Sequence, residues 1–401
     1  MPSPSSASPS VGSRGTLLLL ATIAGLSVAN IYYIQPLLDV LREAFPHDAR
    51  WVAIVPAATQ LGYATGMFFV APLGDRIARR TIILWLIAGL TLTLAALAWS
   101  PSLLWVAALS VPVGVLSTIA QQAVPFAAEI SAPENRGQAV GTVMSGLLLG
   151  ILLARTAAGI IAEHAGWRAV YIAAALIMLA LWFVVAARLP HRTPADAPRY
   201  PALLASMWTL FRTEPVLRDT SITGAAMFAA FSAFWSLLAL LLAGAPFHMG
   251  AQSAGLFGLA GAAGALIAPF AGKSADRRGP RRIISIAIAV TALSFVIFAC
   301  SAHSLLGLGI GVVVLDAGVQ AAQISNQSRI YALRPEARSR LNTVYFVCSF
   351  LGGALGSALA ALAWAHTGWL GVCAVGLACT AIAGANHART RGMALPVAGK
   401  P

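Results

Sequence analysis

The chain has 401 residues, 59% hydrophobic and 10% charged, with 26 Lys and Arg against 13 Asp and Glu. A soluble domain is under half apolar and about a quarter charged, so a soluble fold of this length is excluded. The formal net charge of +13 would point to nucleic acid only as a basic face on a soluble fold, and that partner is excluded with it.

Long apolar runs broken by short basic loops indicate a polytopic membrane protein. A spanning helix needs about 20 apolar residues, and backbone groups in lipid must bond internally, which favours helices. Residues 1–14, MPSPSSASPSVGSR, are Ser/Pro-rich and read as a disordered tail. They lack the basic region of a secretory signal, so 16–41 reads as a retained first span. Eleven more spans follow near 51–73, 81–99, 102–127, 139–163, 167–187, 219–244, 252–272, 283–301, 303–325, 340–365 and 367–386. Tight joints such as AHTGW and ACSAHS must turn the chain between neighbours. The longest polar connection, 189–218, divides a six-helix half at 15–188 from a second at 219–387, and 388–401 is a tail. Within the connection, ALLASMWTLFRTEPVL reads equally as an amphipathic helix on the inner leaflet or as a short helix capping the linker.

Of the 26 Lys and Arg, 22 lie in the two tails, the even-numbered loops and the middle segment. Only Arg42, Arg50 and Arg168 fall on the opposite side, and Arg155 lies inside a span. That bias puts both termini in the cytoplasm. The four cysteines fall in late spans as packing residues, and neither they nor the seven histidines show metal-ligand spacing.

The chain repeats itself. APLGDRIARR at 71–80 returns as AGKSADRRGPRR at 271–282, with Asp75 and Asp276 201 positions apart. An offset of 202 superposes Arg136 on Arg338, Gly150 on Gly352, and EHAGW at 163–167 on AHTGW at 365–369. Two six-span halves built from one unit are the signature of a transporter with parallel repeats about an axis along the membrane normal.

These hairpins resemble the loop signature of the major facilitator superfamily. The second copy carries Gly272, Asp276, Arg277, Gly279, Arg281 and Arg282; the first keeps Asp75, Arg76, Arg79 and Arg80 but has Ala71 and Ala78 where glycine is usual. NIYYIQPLL at 30–38 and the run at 326–345 look like bacterial members of the drug:proton antiporter type. The resemblance implies an all-α fold of twelve transmembrane helices in two pseudo-symmetric six-helix halves, in a bacterial cytoplasmic membrane. It also implies that the hairpin Asp pairs with basic groups and a helix end of the other half, latching one conformation. Asp75, Arg76, Arg79, Asp276, Arg277, Arg136 and Arg338 are the candidate gating residues. Span 5 departs from the exporter pattern, with Ile151 for the usual Pro and Ala154-Arg155 for paired glycines, and no Arg occurs in span 4.

Two charges lie deep in apolar spans, Arg155 and Asp316. An ionisable group at a helix centre costs about 2.5–3.5 kcal/mol on insertion scales, which marks each as a functional candidate. At the 202 offset Arg155 matches Ser357 and Asp316 matches Gly114, so neither charge serves a scaffold need common to both halves. A carboxylate whose surroundings alternate between burial and a nearby cation can take up and release a proton, so Asp316 is the candidate proton site. Arg155 is its expected partner, or a contact for an anionic substrate group. Helix rise places their backbones several ångströms apart in depth. Gln320, Gln323 and Gln327 continue a stripe from Asp316 along one helix face. With Asn30, Tyr33 and Gln35 of span 1, Gln60 of span 2, Thr118, Gln121 and Gln122 of span 4, and Trp235 of span 7, they outline an aromatic, amide-rich cavity. Such a cavity suits a moderately apolar or neutral polar ligand better than a polyanion; for any one glutamine, helix–helix hydrogen bonding is an equal reading.

No H-E-x-x-H, G-x-S-x-G or P-loop is present, which argues against an enzyme and against nucleotide-driven pumping. No cofactor is expected. The sequence therefore reads as a monomeric secondary transporter of a small organic compound, with proton-coupled efflux as the leading mode. A facilitator or proton symporter importing a neutral nutrient, such as a sugar or nucleoside, stays open.

Overall fold

The computed structural model describes residues 14–192, 199–265, 277, 279–334 and 337–390. Asp276 and all of the expected tail except Arg14 lie outside them. Among the described residues the chain is helical, with no strand.

The first crossing is broken. α1 (Arg14–Ala29) stops early, and a 3-10 turn at Gln35–Leu37 leads into α2 (Leu38–Ala44). Asn30 explains the break: its Nδ2 donates to the carbonyls of Leu26 and Ser27 at 2.8 and 3.2 Å, satisfying the helix end. The helices α3 (Val55–Phe69) and α4 (Arg79–Ala98) come next. The fourth crossing is divided into α5 (Leu103–Leu116) and α6 (Ala120–Ile130) by a 3-10 turn. Beyond it lie α7 (Arg136–Arg188), the linker helix α8 (Tyr200–Thr213), α9 (Pro215–Ala243) and α10 (Ala251–Ala265). The chain ends in α11 (Pro280–Cys300), α12 (Leu305–Tyr331) and α13 (Arg338–Arg389).

The helices α7 and α13 each hold two crossings, and both turn at a glycine: Gly166 at φ 79°, ψ 163° and Gly368 at φ 62°, ψ −144°. These are the glycines of EHAGW and AHTGW. Their backbone region is essentially closed to residues with a Cβ. Twelve crossings leave Arg14 and Arg389 on one side of the bundle, the terminal side; the opposite is the far side.

The repeat is visible in detail. Ser102 caps α5 by accepting from Trp105 N at 3.4 Å, and its mate Ser304 caps α12 by accepting from Gly307 N at 3.2 Å. A Cβ on Gly62 would strike the Val111 carbonyl, and one on its mate Gly264 would strike Val313. Small residues thus let equivalent helices approach closely in both halves, the usual mode of packing in lipid. Leu104 and Leu306, also mates, are both 76% exposed, as lipid-facing side chains are. α9 is the most enclosed crossing: 89% of its apolar window is buried, against 33–67% in the other long apolar helices. Apolar all round, it can only be central.

The linker helix α8 is amphipathic. Leu203, Met207 and Leu210 are buried, while Trp208 is exposed. Met207 and Leu210 pack with Leu217, Leu341 and Tyr345 of the second half. Tyr200 Oη donates to the Phe69 carbonyl of α3 at 2.7 Å, so α8 touches both halves on the terminal side.

Gly166→Ala and Gly368→Ala should each cost on the order of 1–3 kcal/mol and lower the thermal unfolding midpoint of the purified protein. Gly137→Ala, where an added Cβ meets nothing within 4 Å, should not lower it. Unchanged midpoints in both turn variants would contradict the assigned turns.

Candidate functional site

Arg155 stands eleven residues before the turn at Gly166, and Asp316 eleven residues after the start of α12. At 1.5 Å per residue each backbone is roughly 17 Å from the far end of its helix. The expected mismatch in depth therefore disappears, because α12 begins at Leu305 and the fifth crossing runs to Gly166.

Both side chains are enclosed, Arg155 at 4% and Asp316 at 8% exposure. Arg155 Nε donates to Gln35 Oε1 at 2.6 Å. The guanidinium carbon lies 4.1 Å from the Trp235 ring centre, 4.6 Å from Tyr32 and 5.9 Å from Phe231. A cation over an aromatic face gains about 0.5–1 kcal/mol when exposed and about 2 or more when desolvated. Arg155 Nη2 and Asp316 Oδ2 are buried without a hydrogen bond. The two charges are within electrostatic range, as is Tyr32, but form no direct ion pair. The Trp235 indole lies beside the carboxylate and closes no hydrogen bond of normal geometry.

The glycines of α10 make room for this centre. A Cβ on Gly258 would lie 3.2 Å from Arg155 Cβ. One on Gly261 would lie 2.9 Å from the Trp235 ring and 3.3 Å from both Asp316 oxygens. The first half solves the same packing differently: Gly114, the mate of Asp316, presses on the Thr59 carbonyl and Tyr63 nitrogen. Thr59 is itself the mate of Gly261. The pair Thr59/Gly114 in one half is exchanged for Gly261/Asp316 in the other, and a carboxylate replaces a backbone contact.

The remaining cavity candidates divide. Gln60 joins the halves: its Nε2 donates to Ser357 Oγ at 3.1 Å, and its Oε1 accepts from Ser232 Oγ at 3.0 Å. Ser236 and Ser357 hydroxyls are 2.7 Å apart. Gln121 Nε2 donates to Tyr63 Oη at 3.2 Å. Tyr33, between Tyr32 and Gln35, is half-buried, as are Gln121, Gln320 and Gln323 on the terminal side of the Arg155 layer. Three candidates stand apart from that layer. Asn30 caps its own helix, Thr118 donates to the Val115 carbonyl at 2.7 Å, and Gln122 donates to the carbonyls of Val70 and Ala71. The halves are joined at the Arg155 layer by Thr156 Oγ1 donating to the Gly255 carbonyl at 3.1 Å, and on the far side by Gln252 N donating to Glu163 at 3.4 Å.

The gating candidates lie at the terminal side. Arg79 pairs with Asp75 and Glu129, both at 3.3 Å, and donates to Gln122 Oε1 at 3.1 Å. All four residues belong to the first half, and the partner of Asp75 among the described residues is a basic group of its own hairpin. Asp75 is 43% exposed, and an exposed i,i+4 pair is worth about 0.3–0.5 kcal/mol. Arg76, Arg136, Arg277 and Arg338 are exposed; Arg338 Nε donates to the Tyr331 carbonyl at 3.1 Å. Arg80 donates to the Ala186 carbonyl at 2.5 Å, and Arg281 to the His387 carbonyl at 2.9 Å. Donor and acceptor are both shifted by 201 between halves. A cation at a helix C-terminus satisfies orphan carbonyls and complements the dipole, so each hairpin is tied to the last crossing of its half.

A second ionic centre is one that the sequence reading does not reach. Asp219, at the start of α9, is fully enclosed. It pairs with Arg329 at 2.7 Å and Arg281 at 3.7 Å, and accepts from Thr390 at 2.8 Å and Asn386 at 3.0 Å. A signal for it exists: the glutamine stripe already reaches Gln327, so α12 has to continue past 325 and carry Arg329 into the bundle.

Removing one partner of a buried pair costs about 3–5 kcal/mol because the other charge is left uncompensated. Asp219→Ala should therefore sharply lower the unfolding midpoint. Asp219→Ala/Arg329→Met should recover part of the loss. A double variant no better than the single one would contradict a charge-pair role.

The Major Facilitator Superfamily model matches residues 17–357 and 266–389. The uncharacterized transporter YgaY of Escherichia coli O157:H7 is 41% identical over 367 residues, 91% of this chain and 92% of that protein. A gallate transporter of Pseudomonas putida is 27% identical over 342 residues, covering 76% and 72% of the two chains. Multidrug resistance protein D of Escherichia coli K12 is 26% identical over 217 residues, 49% of each chain. The crystal structure of a bacterial homologue of the human lysosomal transporter Spinster superposes with a TM-score of 0.70 over 95% of both chains at 16% identity, a likeness of fold. The chain belongs to the major facilitator superfamily, and it is a membrane-spanning secondary transporter of that kind rather than an enzyme.

Proposed function

We propose that the protein is a proton-coupled exporter of a small organic compound, working by alternating access as a monomer in the bacterial cytoplasmic membrane. Both termini face the cytoplasm in this reading, which the distribution of Lys and Arg supports. The observation that carries it is the pair Arg155 and Asp316. They sit at one depth, on opposite halves, enclosed and without direct contact. A neighbouring cation favours an ionised carboxylate, and its withdrawal favours the protonated form. Movement of one half against the other changes that distance, and so links proton exchange to conformation. The half-buried glutamines on the terminal side, with the far side joined through Glu163 and Gln252, support a centre reached from the cytoplasm. The relatives named for multidrug resistance and for gallate support a small organic solute.

Transport into inverted membrane vesicles, with a substrate panel and with or without a pH gradient, tests the reading. Gradient-driven accumulation supports proton-coupled export; movement driven by the substrate gradient alone favours a facilitator. Asp316→Asn should abolish pH-gradient-driven accumulation yet permit exchange down the substrate's own gradient. Accumulation that persists in this variant would remove Asp316 from coupling.

Asp75→Asn should lower turnover while leaving membrane insertion and substrate binding largely intact. Normal turnover at wild-type expression would remove its gating role and leave Arg79 to hold the hairpin through Glu129 and Gln122.

A further inference from the structure

The Arg155 centre holds buried polar atoms that no described residue closes. The guanidinium lies close to two aromatic rings, Trp235 at 4.1 Å and Tyr32 at 4.6 Å. One edge is used, with Nε on Gln35 at 2.6 Å. Nη2 is left buried and unbonded, and Asp316 Oδ2 is left the same way. An unmet buried donor on a charged group costs more than a neutral one, and a ligand that closes it recovers that cost. The ligand that fits a free guanidinium edge is a carboxylate, whose oxygens match the planar N–H geometry. The rings that flank the cation, Trp235 and Tyr32, are themselves buried, so the body of that ligand would lie within an aromatic layer.

Charge balance sets the rest. Arg155 and Asp316 together are neutral. Bringing one carboxylate into this enclosed layer leaves a net negative charge unless a proton enters too, and an uncompensated buried charge is strongly unfavourable. Asp316 has the open oxygen to receive that proton. Among the described residues, the titratable groups facing it are Arg155 from α7 and Tyr32 from the turn after α1. α9 and α10 present Trp235, Gly261 and Gly264, and α11 packs on α12 through Ala287 and Thr291, none of them ionisable.

We infer that this centre binds an organic monocarboxylate with an apolar, ring-bearing body, its carboxylate on the free edge of Arg155, and that Asp316 holds a proton while the ligand is bound. The inference rests on the transport reading only for the steps after binding; the site itself stands on geometry. A dicarboxylate is disfavoured, because among the described residues a single cation faces the site.

The test is binding to the full-length protein in lipid nanodiscs by titration calorimetry. The probes are benzoate, phenylacetate and 3-phenylpropionate, each paired with its neutral amide. At least one acid should bind tenfold or more tightly than its amide. Arg155→Gln should remove that preference and Arg155→Lys should keep part of it. Repeating the titration in buffers of different ionisation enthalpy should reveal about one proton taken up per ligand, and none in Asp316→Asn. If no acid binds, if amides bind as well, or if Arg155→Gln keeps the preference, the inference is overturned. If a neutral compound is accumulated by a pH gradient while no acid binds, the export reading survives without this site. If an acid binds but no pH gradient moves it, the site survives and proton coupling does not.

Discussion

A guanidinium stays charged at any physiological pH and has five N–H groups to satisfy. Burying Arg155 deep in the bundle therefore constrains everything around it. Gln35 exists as an acceptor at that depth because α1 ends at Ala29 and the chain passes through a turn. Trp235 lies over the cation because α9 is enclosed on nearly all sides. α10 carries glycine at 258, 261 and 264 because larger residues would collide with Arg155, Trp235 or Asp316. The balancing carboxylate comes from α12, in the other half. A charge that must be shared across the interface between halves is a direct means of making chemistry depend on how those halves are arranged.

The two halves show how such a site arises on a symmetric frame. Turns, helix caps, lipid-facing leucines and hairpin ties recur at offsets of 201 or 202. The exceptions are concentrated in the interior. Where the first half has Arg155, bonded to Gln35 of the same half, the second has its mate Ser357, bonded to Gln60 across the interface between halves. The second half also holds Asp219 and Arg329 near the terminal side, with no charged mate in the first. The shared positions shape the bundle and the unshared ones supply its polarity, so one half differs from the other in chemistry more than in packing.

Much of this is legible in the sequence. Twelve apolar runs, a repeat in the basic hairpins and a Gly-containing joint in each half lead to the fold, because hydropathy and backbone requirements act locally. Arg155 and Asp316 stand out because a charge in an apolar run has few explanations. Other features need three dimensions. Nothing in the sequence distinguishes Gln122, which braces the hairpin, from Gln121 beside it, which bonds Tyr63. The break after α1 depends on Asn30 folding back on its own helix, a local competition that an apolar run conceals. Asp219 stays hidden because it stands at a helix start, where charges are ordinarily solvated; burial there comes from Arg329, Asn386 and Thr390, distant in sequence. Resemblance gives Asp75 basic partners and a helix end of the other half, and among the described residues its basic partner is the i+4 neighbour Arg79.

The central claim is that Asp316 is a proton-exchanging group held beside, but not on, a buried guanidinium. Infrared difference spectroscopy of the reconstituted protein between acid and alkaline buffer reports this directly. A protonated-carboxyl band should appear in acid, vanish in alkali and be absent from the Asp316→Asn spectrum. A spectrum without any carboxyl band that this substitution removes would mean that Asp316 keeps one charge state throughout, and would contradict the account.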